Sequence, residues 1–451
     1  MTRVLIITGD PIGPRMAGPA IRAWNMAEVL LADGNDVALM TTTVLEPVDA
    51  PFAIHRVRPG ENASFASLER WAEVIVFQGH AMAQFDALRS TDRVVVADIY
   101  DPMHLEMLEQ GRELGALTWD LRVSTATAVL NQQLALADFF LCASERQRLF
   151  YLGQLTTLGR VNPATYENDP HLAHLIAVAP FGLNATPPIH EVDVVKGVRD
   201  GISDSDKLLI WGGGLYNWFD PLSLITAVAG LSARRDGVRL LFLGTKHPGV
   251  DEMGIVRESF DLARELGALD TTVFFNESWV EYSQRQNYLT EADAGVSTHM
   301  SHVETTFAFR TRILDYLWAS LPMVVTEGDS FAELVASEGL GVVVPAQDVA
   351  ALEAAIERVL FDEKFVAGVR KNLERVRQEF VWERALAPLV EFVRSPHRAA
   401  DHAGERRDRS FGGRRRKPYG RRHDLRMAWH YLRAEGPAGV LRRVVSRRRR
   451  G

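Results

Sequence analysis

Two successive series of short apolar runs, each closed by a small-residue or acidic turn, constrain what this 451-residue chain can fold into. The first series holds Val4–Ile7, Val37–Met40, Val74–Phe77, Val94–Ala97 and Phe139–Cys142. The second, from Lys207, holds Leu208–Trp211, Leu240–Leu243, Val273–Phe275, Gly295–Thr298, Met323–Thr326 and Val342–Val344. Short runs of this kind fit strands buried on both faces, and helix-spaced segments between them fit parallel pairing. The fold class expected is therefore α/β, with two doubly wound, Rossmann-like domains facing each other across a cleft. A chain of this length also exceeds one ordinary core. We expect domains at residues 1–187 and 188–380, a terminal helix at 381–395 returning toward the first domain, and a tail at 396–451. Ile176–Ala179 and the following PFGLNATPP form the exit from the first domain.

Charge separates the tail from the rest. From Pro396 onward there are 18 Lys and Arg against 5 Asp and Glu, which leaves 33 basic and 53 acidic residues in the main body. An acidic body argues against nucleic acid as a partner. The tail has almost no aliphatic residues before Leu425, so it is expected to be disordered from about Ser395. Its last part, Asp424–Ser446, mixes apolar residues with arginine and could lie on an anionic membrane surface; the alternative is a solvated tail. The single cysteine, Cys142, sits in an apolar run, as a packed thiol does, and allows no internal disulfide, which fits a reducing cytoplasm. The apolar stretch in MTRVLIITGD suits a first strand rather than a signal peptide, and no run is long enough to cross a membrane.

Ligands of doubly wound sheets sit at the carboxyl ends of strands, so the turns there are the candidate site. In the first domain these are the loop GDPIGPRMAGPA, with Arg15 and Gly18, and the turns holding His80, Tyr100 and Asp101. Gly9, Gly13 and Gly18 are spaced too widely for a dinucleotide fingerprint, which disfavours a nicotinamide-dependent oxidoreductase. In the second domain Gly212-Gly213-Gly214 follows the first strand. The stretch from Val296 to Val335 reads as strand, polar loop, helix, strand and turn into another helix. Its first helix is expected from Phe307 to Ala319, with Ile313, Leu314, Leu317 and Leu321 on the buried face and Arg312 and Asp315 on the other. Arg310 and Arg312 at the positive end of that helix make sense if an anion such as phosphate docks there.

Arg312, Asp315, Tyr316, Leu317, Ala319 and Pro322 before Met323-Val324-Val325 resemble the signature segment of the GT-B glycosyltransferases, in particular the large retaining group called family 4. Gly328, Asp329, Glu333 and Leu334 match the family's next turn and helix, and YLTEAD at Tyr288–Asp293 stands where the family has it. The likeness spans about residues 1–395 and is best in the second domain. It implies a nucleotide-sugar donor, a glycan, lipid-linked or small-molecule acceptor, and a cytoplasmic enzyme, peripheral at the membrane if the tail binds there. It implies that Arg312 binds the diphosphate and Asp315 the ribose of the donor. With the cleft-facing turns we expect donor-binding roles for Gly213, Gly214, Lys246, Glu304, Arg310, Arg312, Asp315, Asp329 and Ser330, that of Arg310 being our own inference and not part of the family pattern. Arg15, Gly18, His80 and Tyr100 fall on the acceptor side, and His80, Asp101, Arg310 and Arg312 take the catalytic positions.

In the second domain the chain departs from the family in two places, and in the first domain Ala17 replaces one glycine of a usual pair and Tyr100-Asp101 stands where His-Asp is usual. Phe307 stands where the first of two spaced glutamates is usual, and Glu304 could replace it only through a different loop. The glycine loop offers Gly214 and Phe219 where Arg and Lys are usual, which leaves Arg310 as the compensating cation. Cationic side chains on a leaving diphosphate make a resident metal or other cofactor unnecessary, and no Asp-x-Asp pair is conspicuous. The simpler alternatives are that Arg312 and Asp315 pair with each other, that the three glycines only form a turn, and that His299, His302, Lys246, His247, Trp218 and Trp279 are structural. A nucleotide-sugar epimerase or hydrolase of the same fold and a non-catalytic sugar-nucleotide binder remain open.

Overall fold

The computed structural model describes residues 1–245, 253–278 and 280–402. Seven parallel strands form the first sheet: β1 (Arg3–Thr8), β2 (Asp36–Thr41), β3 (Ala53–Arg56), β4 (Val74–Gln78), β5 (Val94–Asp98), β6 (Phe139–Cys142) and β7 (Ile176–Val178). Their order is β3-β2-β1-β4-β5-β6-β7. Six parallel strands form the second: β8 (Lys207–Trp211), β9 (Val238–Phe242), β10 (Val273–Phe275), β11 (Ala294–Ser297), β12 (Met323–Thr326) and β13 (Gly341–Val344), in the order β10-β9-β8-β11-β12-β13. Both sheets reverse direction of winding beside their first strand, between β1 and β4 and between β8 and β11. Such crevices are where ligands enter doubly wound sheets. Ala53–Arg56 was not apparent as a strand because its four residues are half exposed at the sheet edge and carry His55 and Arg56.

Close packing fixes two glycines on the second sheet. A Cβ on Gly295 would lie 2.4 Å from the Tyr316 ring, and one on Gly341 would strike the Met323 carbonyl. The space kept free at Gly295 lets Tyr316 lie fully buried across the sheet ends, with its hydroxyl 2.8 Å from the Val296 carbonyl and accepting from Gly212 N–H at 2.8 Å.

The chain crosses between domains twice, side by side. Leu183 N–H donates to the Phe380 carbonyl (2.8 Å) and Trp382 N–H to the Leu183 carbonyl (3.2 Å). The helix Ala387–Arg394 then packs on the first domain, where Phe392 stacks on Phe139 at 4.3 Å and Arg394 pairs with Asp33. Residues from Ser395 were expected to be disordered, but those up to 402 are pinned to the first domain. Arg160, 1% exposed, holds Asp401, and the buried Asp138 accepts from Arg398 (3.1 Å), Ala399 N–H (3.2 Å) and His402 (2.9 Å). Composition hid this because the partners lie more than 200 residues away in sequence. The rest of the tail, with its expected membrane segment, lies outside the described residues. No helix of the described residues is long and apolar enough to cross a membrane.

A second correction concerns the stretch from Val296 to Val335. In place of one helix from Phe307, there are two short ones, Val303–Phe307 and Arg312–Trp318. His302 caps the first by accepting from Thr305 N–H at 3.2 Å. The turn between them lets two aromatic rings go to different places: Phe307 packs on Phe150 of the first domain (4.5 Å) and Phe309 on Phe331 (4.6 Å). Arg310 therefore sits in the turn, and Arg312 starts a helix of only seven residues, whose dipole is a minor source of charge.

One ion pair anchors the first domain at its crevice. Arg22 and Asp98 are completely buried, joined at 2.7 and 2.8 Å. Arg22 also donates to the Ala179 and Pro180 carbonyls at the start of the crossing segment, and Asp98 accepts from Gln78. Breaking a buried pair by removing one partner costs about 3–5 kcal/mol, because the other charge is stranded. Asp98→Ala is accordingly expected to lose about that much stability in denaturant titration; a loss below about 1 kcal/mol would contradict this anchoring role.

Candidate active site

The loops that end β1, β5, β8 and β11 converge on a cavity of about 360 Å³ between the domains. Its second-domain wall is built around Arg312. The side chain is 8% exposed, and its guanidinium lies 4.3 Å from the Trp211 ring and 4.1 Å from the Phe219 ring. Nη2 donates to the Gly214 carbonyl at 3.2 Å, while Nη1 has no hydrogen-bond partner among the described residues. Burial, reinforced by Arg310, pushes its pKa down to about 10. A guanidinium that loses water and gains only one carbonyl is destabilised until something anionic pairs with it.

Arg310 lines the same wall but is differently engaged. It forms a bidentate pair with Glu304 at 3.0 and 2.7 Å and stands 4.0 Å from Asp329. Its charge is thus already compensated, unlike the second free cation the sequence suggested. Asp315 does not pair with Arg312 either. Its partner is Arg285 at 3.1 Å, whose guanidinium is stacked 3.6 Å from the Tyr282 ring and 4.5 Å from Trp318. In the glycine loop, Gly213 has φ +94°, open space only a glycine uses freely, and Gly212 N–H is taken by Tyr316. The amides of Gly213 and Gly214 remain as the loop's candidate contacts with a ligand.

The first-domain wall carries the opposite charge. Asp101 and Glu106, five residues apart on the turn and helix after β5, hydrogen-bond to each other through their carboxyl groups. Burial pushes Asp101 up to about 6, and burial plus the neighbouring Asp101 pushes Glu106 well above the usual carboxyl range. Asp10, behind them on the loop after β1, is also pushed up to about 6 by burial and by Asp101. Gly18, Tyr100 and Phe181 complete this side, the last two rings meeting edge to face at 4.9 Å.

The cavity thus gathers Gly18, Tyr100, Asp101, Gly213, Gly214, Glu304, Arg310, Arg312 and Asp315 from the residues singled out in sequence. Trp218 lines it as well. Arg15 is not among its lining residues: it is exposed and leans toward Glu46 at 3.9 Å. His80 is exposed at the start of the helix Ala81–Gln84 and also does not line the cavity. Asp329 and Ser330 sit behind the wall, where Asp329 caps the helix Ser330–Glu338 and faces the buried His299 at 3.5 Å. Lys246, His247 and Trp279 lie outside the described residues. Sequence reading missed Glu106, Asp10 and Arg285. Glu106 had a usable signal, since it follows Asp101 by just over one helical turn.

Across the cleft, Arg146 of the first domain donates to the carbonyls of Thr306 and Gly328 and pairs with Glu333, while Gln147 donates to the carbonyls of Tyr100 and Phe307, both at 2.8 Å. These bonds hold the Glu304–Arg310 loop against the acidic wall.

Because Asp101 keeps its proton in the folded chain up to about pH 6, and the unfolded chain releases it near 3.8, the folded state binds more protons between those values. Its contribution to stability is full below about pH 4 and is lost as pH rises through 6. Unfolding free energies of the wild type and Asp101→Asn, measured from about pH 4 to 7, are expected to diverge, the wild type losing more as pH rises. Parallel curves would contradict the buried, protonated Asp101.

Residues 206–362 match the family model described as glycosyl transferases group 1. Among solved structures, sucrose-phosphate synthase from Thermosynechococcus elongatus is 17% identical, with a TM-score of 0.65 over 87% of this chain and 98% of that one. WaaG, a glycosyltransferase involved in lipopolysaccharide biosynthesis, is 17% identical, with a TM-score of 0.59 over 87% of this chain and all of that one. Anabaena HepE in complex with UDP-glucose is 15% identical, with a TM-score of 0.60 over 88% of this chain and 100% of that one. Among curated proteins no match is found. Two parallel sheets, flanking helices and the cleft between them are the GT-B architecture, and within it residues 206–362 are similar to the group 1 glycosyl transferases.

Proposed function

We propose that the chain transfers a sugar, of hexose type, from a nucleoside diphosphate donor to a hydroxyl acceptor held on the first domain, with retention of configuration. The observation that carries this reading is the unpaired Nη1 of the buried Arg312, beside the glycine loop in a group 1 domain. The complexes of HepE with UDP-glucose and of an Escherichia coli protein with UDP-2-fluoro glucose support the donor class.

The chemistry follows from where the charge sits. As the glycosidic bond to the diphosphate breaks, negative charge grows on the β-phosphate and positive charge on the sugar. In this reading Arg312 Nη1 and the Gly213 and Gly214 amides, which line the cavity, receive the first. Charged hydrogen bonds of this kind are each worth about 1.5–3 kcal/mol. Glu304, held by Arg310, presents a carboxylate to the cavity where the cationic sugar would form. Asp315, oriented by Arg285, is the candidate for the ribose hydroxyls. We assign the offsetting charge to these side chains rather than to a resident metal, so chelator treatment is expected to leave turnover intact.

A lipid-linked or glycan acceptor, a role in polysaccharide or glycoconjugate assembly, and a basic tail resting on the cytoplasmic face of a membrane are the wider setting of this proposal. The Glu304–Arg310 pair favours one second reading, a sugar-nucleotide binder without turnover, since Arg310 is not free to assist the leaving group.

Arg312→Ala separates these readings from a purely structural arginine. It is expected to lower transfer by about 100-fold or more, the scale of losing one transition-state donor, and to abolish the thermal shift given by nucleoside diphosphates. Saturation at 100 times Kd stabilises a protein by about 2.7 kcal/mol, which is readily seen. Unchanged rate and shift in a folded variant would overturn the donor assignment; a lost shift in a protein without turnover would support the binder.

A further inference from the structure

The cleft is electrically two-sided, and this bears on what the acceptor can be. Among the described residues, every cation lining the cavity belongs to the second domain: Arg285, Arg310 and Arg312. The first-domain wall supplies Asp101 and Glu106, with Asp10 close enough to Asp101 to raise it. Arg22, the nearest cation behind this wall, is fully buried and saturated by Asp98 and two backbone carbonyls, and it does not line the cavity. Arg15 leans outward on Glu46. That a ligand belongs between the two walls is indicated independently by Arg312, more than nine-tenths buried, lining this cavity and lacking a partner for Nη1.

We propose that the Asp101–Glu106 carboxyl pair selects an acceptor whose docking face is uncharged and hydroxyl-rich, and rejects acceptors bearing a phosphate there. The proposal rests on the transfer reading above and names the substrate class of its second substrate. A hydroxyl both donates and accepts, and a carboxyl pair sharing one proton does the same, so the two surfaces are complementary. A phosphate ester only accepts. On this wall it meets carboxyl oxygens instead of the arginine or lysine forks that phosphate recognition uses. Repulsion of the wrong ligand is as effective a source of specificity as attraction of the right one. The rings of Tyr100 and Phe181 give the same wall an apolar patch on which a sugar face can rest.

The test compares a panel of free hexoses with their 6-phosphates as probes, reading nucleoside diphosphate release from UDP-glucose by the full chain. In the wild type the free sugars are expected to change the release rate at concentrations at least tenfold below those at which the phosphate esters do. In the double variant Asp101→Asn with Glu106→Gln, which keeps shape and hydrogen bonding but removes the acid, that preference is expected to shrink by at least tenfold. A wild type that engages the phosphate esters first, or a preference that the double variant leaves unchanged, overturns the proposal. UDP binding by the wild type is measured alongside. If UDP binds and the preference fails, only the acceptor assignment falls; if UDP does not bind, the transfer reading falls with it.

Discussion

A guanidinium buried between two aromatic rings with one of its nitrogens unpaired is the constraint on which the second domain's site depends. Arg312 could be solvated more cheaply at the surface, and its position is enforced by the surrounding packing. Tyr316, one helical turn on, is locked across the sheet ends by Gly295 and by its bonds to Val296 and Gly212. That lock fixes the helix Arg312–Trp318 against β8 and β11, and with it the height of Arg312 under the glycine loop. An anion entering from the cleft would complete Nη1, which is how the proposed phosphate-bearing donor fits this geometry.

The other side of the cleft answers in the opposite sign. Burial keeps protons on carboxyl groups there, and the Arg22–Asp98 pair holds the crossing segment close enough for Phe181 to join Tyr100 at the cavity. Arg146 and Gln147 bring the two walls together. A diphosphate drawn to one wall and a hydroxylated sugar face accommodated by the other would meet between the two walls, which is the arrangement transfer from one to the other requires. Fold alone would not say this, since the GT-B architecture accommodates many reactions.

Much of the architecture was legible because strands buried on both faces leave unbroken apolar runs, and Gly212 to Gly214 and Arg312 to Pro322 stand at fixed offsets from those runs. Contacts across the sequence were not. Nothing local shows that Arg310 closes on Glu304, that Arg285 rather than Arg312 takes Asp315, or that Asp401 returns to Arg160. The helix expected from Phe307 was misplaced for the same reason: the demand that Phe307 and Phe309 reach different partners is tertiary and overrides a helical pattern. His80 and Arg15 illustrate a further limit, since sequence places a residue at the correct strand end without saying which way its side chain leaves the sheet.

A structure of the chain with a bound nucleoside diphosphate tests most directly what pairs with Arg312 Nη1. We expect a phosphate oxygen within about 3 Å of Arg312 Nη1, with the Gly213 and Gly214 amides turned toward the same phosphate and the Glu304–Arg310 pair beside it. A diphosphate bound elsewhere in the cleft, with Nη1 still unpaired, would contradict the account.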